Sequence, residues 1–578
     1  MAETLVIRGG TVVDGSGGAP FEADVAIRGD TIAAVGRALP KGDREIDARG
    51  KLVMPGLVDV HTHYDAQVTW ASQITPSSWC GVTTVLIGNC GVGFAPCLPE
   101  RRDMLVKLME GVEDIPEVVL TEGLPWTWQS FPEYLDTLAA RRYDLDVATQ
   151  VPHSAVRVHV MGERGANRED ATPADRAEMA RLVAEGMQAG ALGFATSRTI
   201  AHKTLAGDLI PTLRAAEAEL AEIGQAMKQV GAGWMQVISD FDDPETEFGI
   251  LRRVIEGSGR PMTFSLLQRE QRPTLWRELL DKVADVNRAG HSMKAQVMGR
   301  PIGIMLGFEI SQNPFIGRPS WAEVKHLPFP EKLARLRDPA FRARLLAEET
   351  ADPLMKHRVN TWEKIFPLDQ DRPDYEPGPE ASVAAIAARQ GRNPEEVVYD
   401  LLLERDGRAI LYRPIINYAD GTLDTVKVMM QDPNTLLGLG DGGAHVSIIC
   451  DASTMTHTIT HWARDRSRGA KLPLEWVVKK LSRDNAAAIG LHDRGLLAPG
   501  YKADVNVVDF DKLAVRAPEV LYDLPSGGRR LVQRTEGYEA TIVSGVPVYR
   551  DGEATGALPG RLVRGAKAAP TGASTAAG

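Results

Sequence analysis

Val53-Met54-Pro55-Gly56-Leu57-Val58-Asp59-Val60-His61-Thr62-His63-Tyr64-Asp65 is an apolar run that ends in two histidines one residue apart. Residues two apart on a strand point to the same side, so the two imidazoles converge. At the C-terminal end of a barrel strand they converge on the mouth where such barrels place their active sites. Neutral imidazole suits zinc and its neighbours. Two exposed histidines in a turn are the plainer reading of a lone His-x-His, but the strand that leads into this pair favours metal.

Working outward, eight short apolar runs can be counted, at 52–60, 83–88, 147–152, 191–195, 234–238, 262–267, 293–298 and 436–440. Each ends in polar or glycine residues, and most lead into a helical stretch. This is the rhythm of parallel β/α units. Helices are clearest over 173–189, with Pro173 at the start and Gly190 after the end, and over 213–229. The fold class predicted is α/β: a (β/α)8 TIM-like barrel over 52–493. The stretch between the seventh and eighth runs far exceeds an ordinary βα loop. It predicts an insertion or lid over 299–435, with a helix over 381–404. Short β-type runs separated by Gly and Asp turns fill the first fifty residues and return after residue 500. Residues 1–51 and 494–560 are therefore expected to form one small composite β-sandwich. The small and polar residues 566–578 are expected to be a disordered tail.

A chain of 578 residues, 43% hydrophobic, can bury a large core and one smaller domain besides. Its formal net charge of -11 is spread among mixed signs, which argues against nucleic acid or an anionic membrane as partner. The opening residues lack the basic start and apolar stretch of a secretory signal, and no long apolar run follows. The expected location is the cytoplasm, and the expected partner is a small molecule, with homo-oligomerisation left open. Four cysteines, Cys80, Cys90, Cys97 and Cys450, are too few and too scattered for a disulfide framework.

Two further segments carry candidate chemistry. Thr83 to Gly88 is followed by Asn89-Cys90-Gly91-Val92-Gly93, so Cys90 lies just past a strand end in a Gly-rich bend. Its thiolate could bind metal, although a buried structural thiol is the commoner fate and is preferred for Cys90 taken alone and for Cys97. Leu436-Leu437-Gly438-Leu439-Gly440-Asp441-Gly442-Gly443-Ala444-His445 ends the last strand with a carboxylate among glycines that let a substrate approach. Asp441 could bind metal and hold a water proton. His445 is either a contact to a carbonyl oxygen or an ordinary loop histidine.

On these motifs the chain resembles the amidohydrolase superfamily, and within it the N-acyl-D-amino-acid deacylase (D-aminoacylase) branch. Further points of likeness are Val160-Met161-Gly162, Gly190-Ala191-Leu192-Gly193-Phe194 and Gly495 to Val505. The resemblance covers most of the chain. It implies a metal-bearing barrel with a split β-sandwich, His61, His63 and Asp441 as ligands at one metal position, and Cys90 at the other. It also implies metal-binding histidines at the ends of the fifth and sixth strands, but 234–240 and 263–268 contain none. The expectation is therefore a single divalent ion, zinc, on His61, His63 and Asp441, aided by Cys90 or by His153 at the end of the third strand. His202, after the fourth strand, is a further candidate for the substrate side. The implied reaction is hydrolysis of an N-acyl amino acid, with Asp441 taking a proton from water and passing it to the leaving nitrogen. Two alternatives stay open: a hydrolase of cyclic amides or imides, and a degenerate relative that binds a small molecule without turnover.

Overall fold

The computed structural model describes residues 3–571. The apolar run at 52–60 is not one strand but two, Leu52–Pro55 and Leu57–Asp59, which belong to different sheets. The break falls at Gly56, where an added Cβ would lie 2.1 Å from Thr83 Oγ1. Only a residue without a side chain lets the chain cross so close to its neighbour. Its N–H donates to Asp504 O on one side, and the next N–H, of Leu57, donates to Gly81 O on the other.

Eight parallel strands make the central sheet: Leu57–Asp59, Val82–Ile87, Asp146–Pro152, Gly193–Arg198, Trp234–Ser239, Met262–Ser265, Met293–Val297 and Thr435–Leu437. We call them the first to eighth barrel strands; apart from the split first run, all lie where the sequence placed them, within a few residues. Each pairs with the next in order, and helices connect most of them. The sheet curls, and the segments that follow its two edge strands come together. Asp441 N–H donates to His61 O at 2.9 Å, His63 N–H donates to Gly442 O at 2.7 Å, and the Asn485 amide donates to both Val58 O and Leu437 O.

Local sequence sets the helix ends. Pro173–Ala189 begins with Thr172 and Asp175 capping each other and ends at Gly190, φ 114°. The next helix starts at Glu217 rather than at 213. Arg198, at the end of the fourth strand, draws the Ala215 carbonyl onto its guanidinium, and Thr212 bonds Ser197 O, so this segment is held to the strand instead of winding.

Both chain ends contribute to one nine-stranded mixed sheet, in which Val505–Val508 pairs antiparallel with Leu52–Pro55. It has its own core of Ile7, Val25, Ile27, Val53, Val505, Val507 and Ile542. Strands from both chain ends thus share one sheet, where the sequence led to the expectation of a sandwich. Within 299–435 a three-stranded antiparallel sheet, Ile302–Leu306, Phe366–Pro367 and Leu411–Ile416, packs with short helices over Phe308, Phe315, Trp321 and Tyr399. The helix expected at 381–404 is two, Val383–Gln390 and Pro394–Gly407, because Gly391 ends the first at φ 64° and the Asn393 side chain caps the second. Of the expected tail, Lys567 exchanges backbone hydrogen bonds with Gly490 and His492, so ordered structure continues past 566; residues 572–578 lie outside the described residues. No helix among the described residues is long and apolar enough to cross a membrane.

Candidate metal centre

The first barrel strand delivers His61 and His63, both buried, with their rings edge to face at 5.3 Å. The second delivers Cys90 through a tight reversal. Gly88 takes φ 79°, where a Cβ would lie 2.4 Å from Gln150 O, and Cys90 itself sits at φ 54°. Such a conformation strains a residue that carries a Cβ and is held only by its surroundings. The result is that Cys90 Sγ comes within 3.3 Å of His61 Nε2. Ligand atoms of His61, His63 and Cys90 all lie within 4.8 Å of one another, the one such group among the described residues.

The eighth strand supplies Asp441, also in the left-handed region at φ 53°. Its Oδ1 lies 3.2 Å from His63 Nε2 and 3.6 Å from His61 Nε2. Glycines on either side allow the approach: a Cβ on Gly440 would collide with Asp59 Oδ2 at 1.9 Å, and one on Gly443 would meet His63 O at 2.7 Å. Two imidazoles, a thiol and a carboxylate in a buried cluster form a donor set that suits zinc. The structure also changes the standing of Cys90, which joins the histidine pair directly rather than standing apart from it.

Burial competes with neighbouring charge at every titratable group of the cluster. Burial disfavours the Asp441 carboxylate, yet the hydrogen bond and charge of His63, with His61 and His445 behind, hold its pKa well below the carboxylate range. Burial pulls His61 down to about 4. Burial also opposes charge on His63, but Glu113 and Asp441 overcome it and raise its pKa well above 6.5. Burial pushes the Cys90 thiol up to about 11, against the pull of His63; a coordinated thiol is deprotonated.

Three residues at the centre escaped the sequence reading. Glu113 ends the helix Arg102–Glu113, is buried, and places Oε1 3.3 Å from His63 Nδ1. Gln296, on the seventh strand, places Oε1 2.7 Å from His61 Nδ1. Gln236, on the fifth, accepts the Cys90 N–H at 2.7 Å. Inward-facing positions on barrel strands were the available signal for both glutamines, whereas nothing local marked Glu113.

The remaining candidates divide. His445 Nε2 is 3.8 Å from Asp441 Oδ2, at the edge of the cluster. His202 is buried against Ser197 Oγ, and its pKa falls to about 3, mainly through burial and then through the charges of His445 and His63. His153 is elsewhere. It opens the helix His153–Met161, and its ring nitrogens face Thr196 Oγ1 at 2.8 Å and Glu219 Oε1 at 2.7 Å, with Arg157 completing a buried pair. With both nitrogens taken, His153 serves the packing of helices on the barrel wall and offers nothing to a ligand. Cys97 is buried with Sγ on Leu98 O, a structural thiol as expected. Beside His63 and Asp441 lies a cavity walled by Trp70, Ile115, Val446, Leu531 and Arg530. Arg530 comes from the hairpin Glu519–Leu524 and Gly528–Val532, and its guanidinium is tied to Asp523, Thr75 and Gln67.

Comparison with known proteins bears on this geometry. The amidohydrolase family profile matches residues 44–549. The D-aminoacylase of Alcaligenes xylosoxydans xylosoxydans is 26% identical over 569 residues, spanning 97% of each chain. An N-acyl-D-aspartate deacylase of the same organism is 28% identical over 575 residues, spanning 98% of this chain and 96% of its own. Among solved structures, N-acyl-D-glutamate deacylase from Bordetella bronchiseptica, complexed with zinc and a phosphonate inhibitor, shares the fold with a TM-score of 0.62. It is 22% identical and covers 98% of this chain and 100% of its own.

Proposed function

This chain belongs to the amidohydrolase family, and from that premise we propose that it hydrolyses the amide bond of N-acyl amino acids, with N-acyl-D-amino acids as the preferred class. The observation that carries the proposal is the convergence of buried His61, His63 and Cys90 at the C-terminal end of the barrel strands, with the half-buried Asp441 within reach of both imidazoles. A single divalent ion, zinc, held by these four residues would supply Lewis-acid polarisation of the scissile carbonyl and of the attacking water.

The chain's own groups do the rest. Asp441, its Oδ1 beside both metal-side imidazoles, accepts the water proton and returns it to the leaving nitrogen. His445, 3.8 Å from Asp441, is placed to steady the carbonyl oxygen, and His202 is a further candidate for that task. The loop after Asp441 is braced from the insertion, since Met305 N–H donates to Ile448 O and Ser311 N–H to Ser447 O. Cover of bound substrate by the 299–435 insertion would exclude water from the site. The deciding experiment is a screen of N-acyl-D-amino acids, their L-enantiomers and cyclic imides with zinc-loaded protein. Turnover of the D-series is expected; turnover confined to cyclic imides, or none at all, overturns the reading.

A further inference from the structure

Glutamines occupy the barrel interior on the fifth and seventh strands, and each touches the candidate centre. Gln296 is wholly buried and is gripped at both ends of its amide. Oε1 lies 2.7 Å from His61 Nδ1, and Nε2 donates to Thr263 Oγ1 at 2.8 Å. The other nitrogen of His61, Nε2, faces Cys90 Sγ and Asp441 Oδ1. A neutral imidazole carries one proton and one lone pair, so whatever fixes the proton on one nitrogen decides what the other can do.

We propose that Gln296 is a positioning residue for His61: its carbonyl oxygen accepts a hydrogen bond from Nδ1–H, leaving Nε2 bare and aimed at a divalent cation. The proposal rests on the metal reading given above. Thr263 is the second half of the device, because by engaging the amide nitrogen it turns the oxygen, rather than the nitrogen, toward the ring. The choice of an amide over a carboxylate also makes electrostatic sense. Asp59, Glu113 and Asp441 already crowd the same region, against His61 N–H and the His63 ring. An uncharged acceptor orients His61 without adding a further negative charge. Gln236 does the parallel task for the second strand through the Cys90 backbone N–H, so the strands that lack ligands hold those that have them.

The test uses the full-length protein, stripped with a chelator, and reads zinc affinity by competition with a chromophoric chelator and the cobalt(II) absorption spectrum. Gln296→Met removes the acceptor at similar volume and is expected to weaken zinc binding by about 10–100-fold, the range for loss of a residue that orients a ligand histidine. It should also alter the cobalt thiolate band. Gln296→Glu keeps an acceptor in place and should retain most of the affinity, and Thr263→Val should lose a smaller part of it. Gln296→Met that binds zinc as tightly as the parent, with the same cobalt spectrum, overturns the proposal, as does Gln296→Glu that loses as much as Gln296→Met. Should Gln296→Met fail to fold, Thr263→Val decides: unchanged affinity overturns the role. A parent protein that takes up no zinc removes the metal reading and the proposal together, whereas a parent that binds it beside indifferent variants removes the proposal alone.

Discussion

The two sides of the barrel mouth differ in what their strands contribute. The first, second and eighth strands end in His61, His63, Cys90 and Asp441, groups that can donate to a cation. The fifth, sixth and seventh strands offer Gln236, Thr263, Ser265 and Gln296 near the same depth, groups that orient but do not ligate strongly. Ser265 Oγ and Gln236 Nε2 are buried without a hydrogen bond among the described residues. The contrast teaches that one half of a barrel can hold a complete donor set while the other half is given over to orienting that set.

The contrast can be broken most forcefully from the donor side. Asp441→Asn keeps size and hydrogen bonding but removes the base, and should lower kcat by roughly 10²–10⁴-fold with the fold intact by circular dichroism. Normal turnover would remove Asp441 from the mechanism. Cys90→Ser should weaken zinc binding by more than the ~100-fold upper range for an orienting group, since a ligand itself is lost; titration with a competing chelator reads it. A smaller effect appears in pH. The Cys90 thiol, at about 11 in the metal-free protein, is protonated at neutrality and must release its proton when metal binds, so affinity rises with pH. The gain is about tenfold per pH unit for each proton displaced. His61, at about 4, is already neutral there and adds no slope. Cys90→Ser should lower the slope of log affinity against pH by one; an unchanged slope would show that the thiol does not ligate. Smallest in its effect on catalysis is His153→Gln. It disturbs the buried Glu219 and Arg157 pair and should cost roughly 2–3 kcal/mol of stability in a denaturant melt while leaving kcat unchanged. A kcat collapse without destabilisation would return His153 to the site.

The legibility of the chain follows the same division. His61 and His63 were legible as a pair because a recognisable strand leads into them, whereas Cys90 and Asp441, at strand ends among glycines, gained their expected roles from the family resemblance. Glu113 was not legible, because it reaches His63 only through the docking of a helix C-terminus, where Val446 N–H donates to Glu113 O. Gln236 and Gln296 lie in plain view within strands, but their partners come from 146 and 235 residues away in sequence. His153 misled for a definite reason. It follows the third strand as a ligand would, yet a helix begins at that residue and turns the ring outward onto Glu219. Gly56 likewise marked a change of sheet that an unbroken apolar run concealed.

Metal titration of the stripped protein distinguishes a one-metal centre from a two-metal one. Zinc is added in known equivalents while bound metal and hydrolysis of an N-acyl-D-amino acid are followed together. With one ion per chain, uptake and activity should rise in step and level off at one equivalent. Activity that appears only with a second equivalent, or uptake that never occurs, would contradict it.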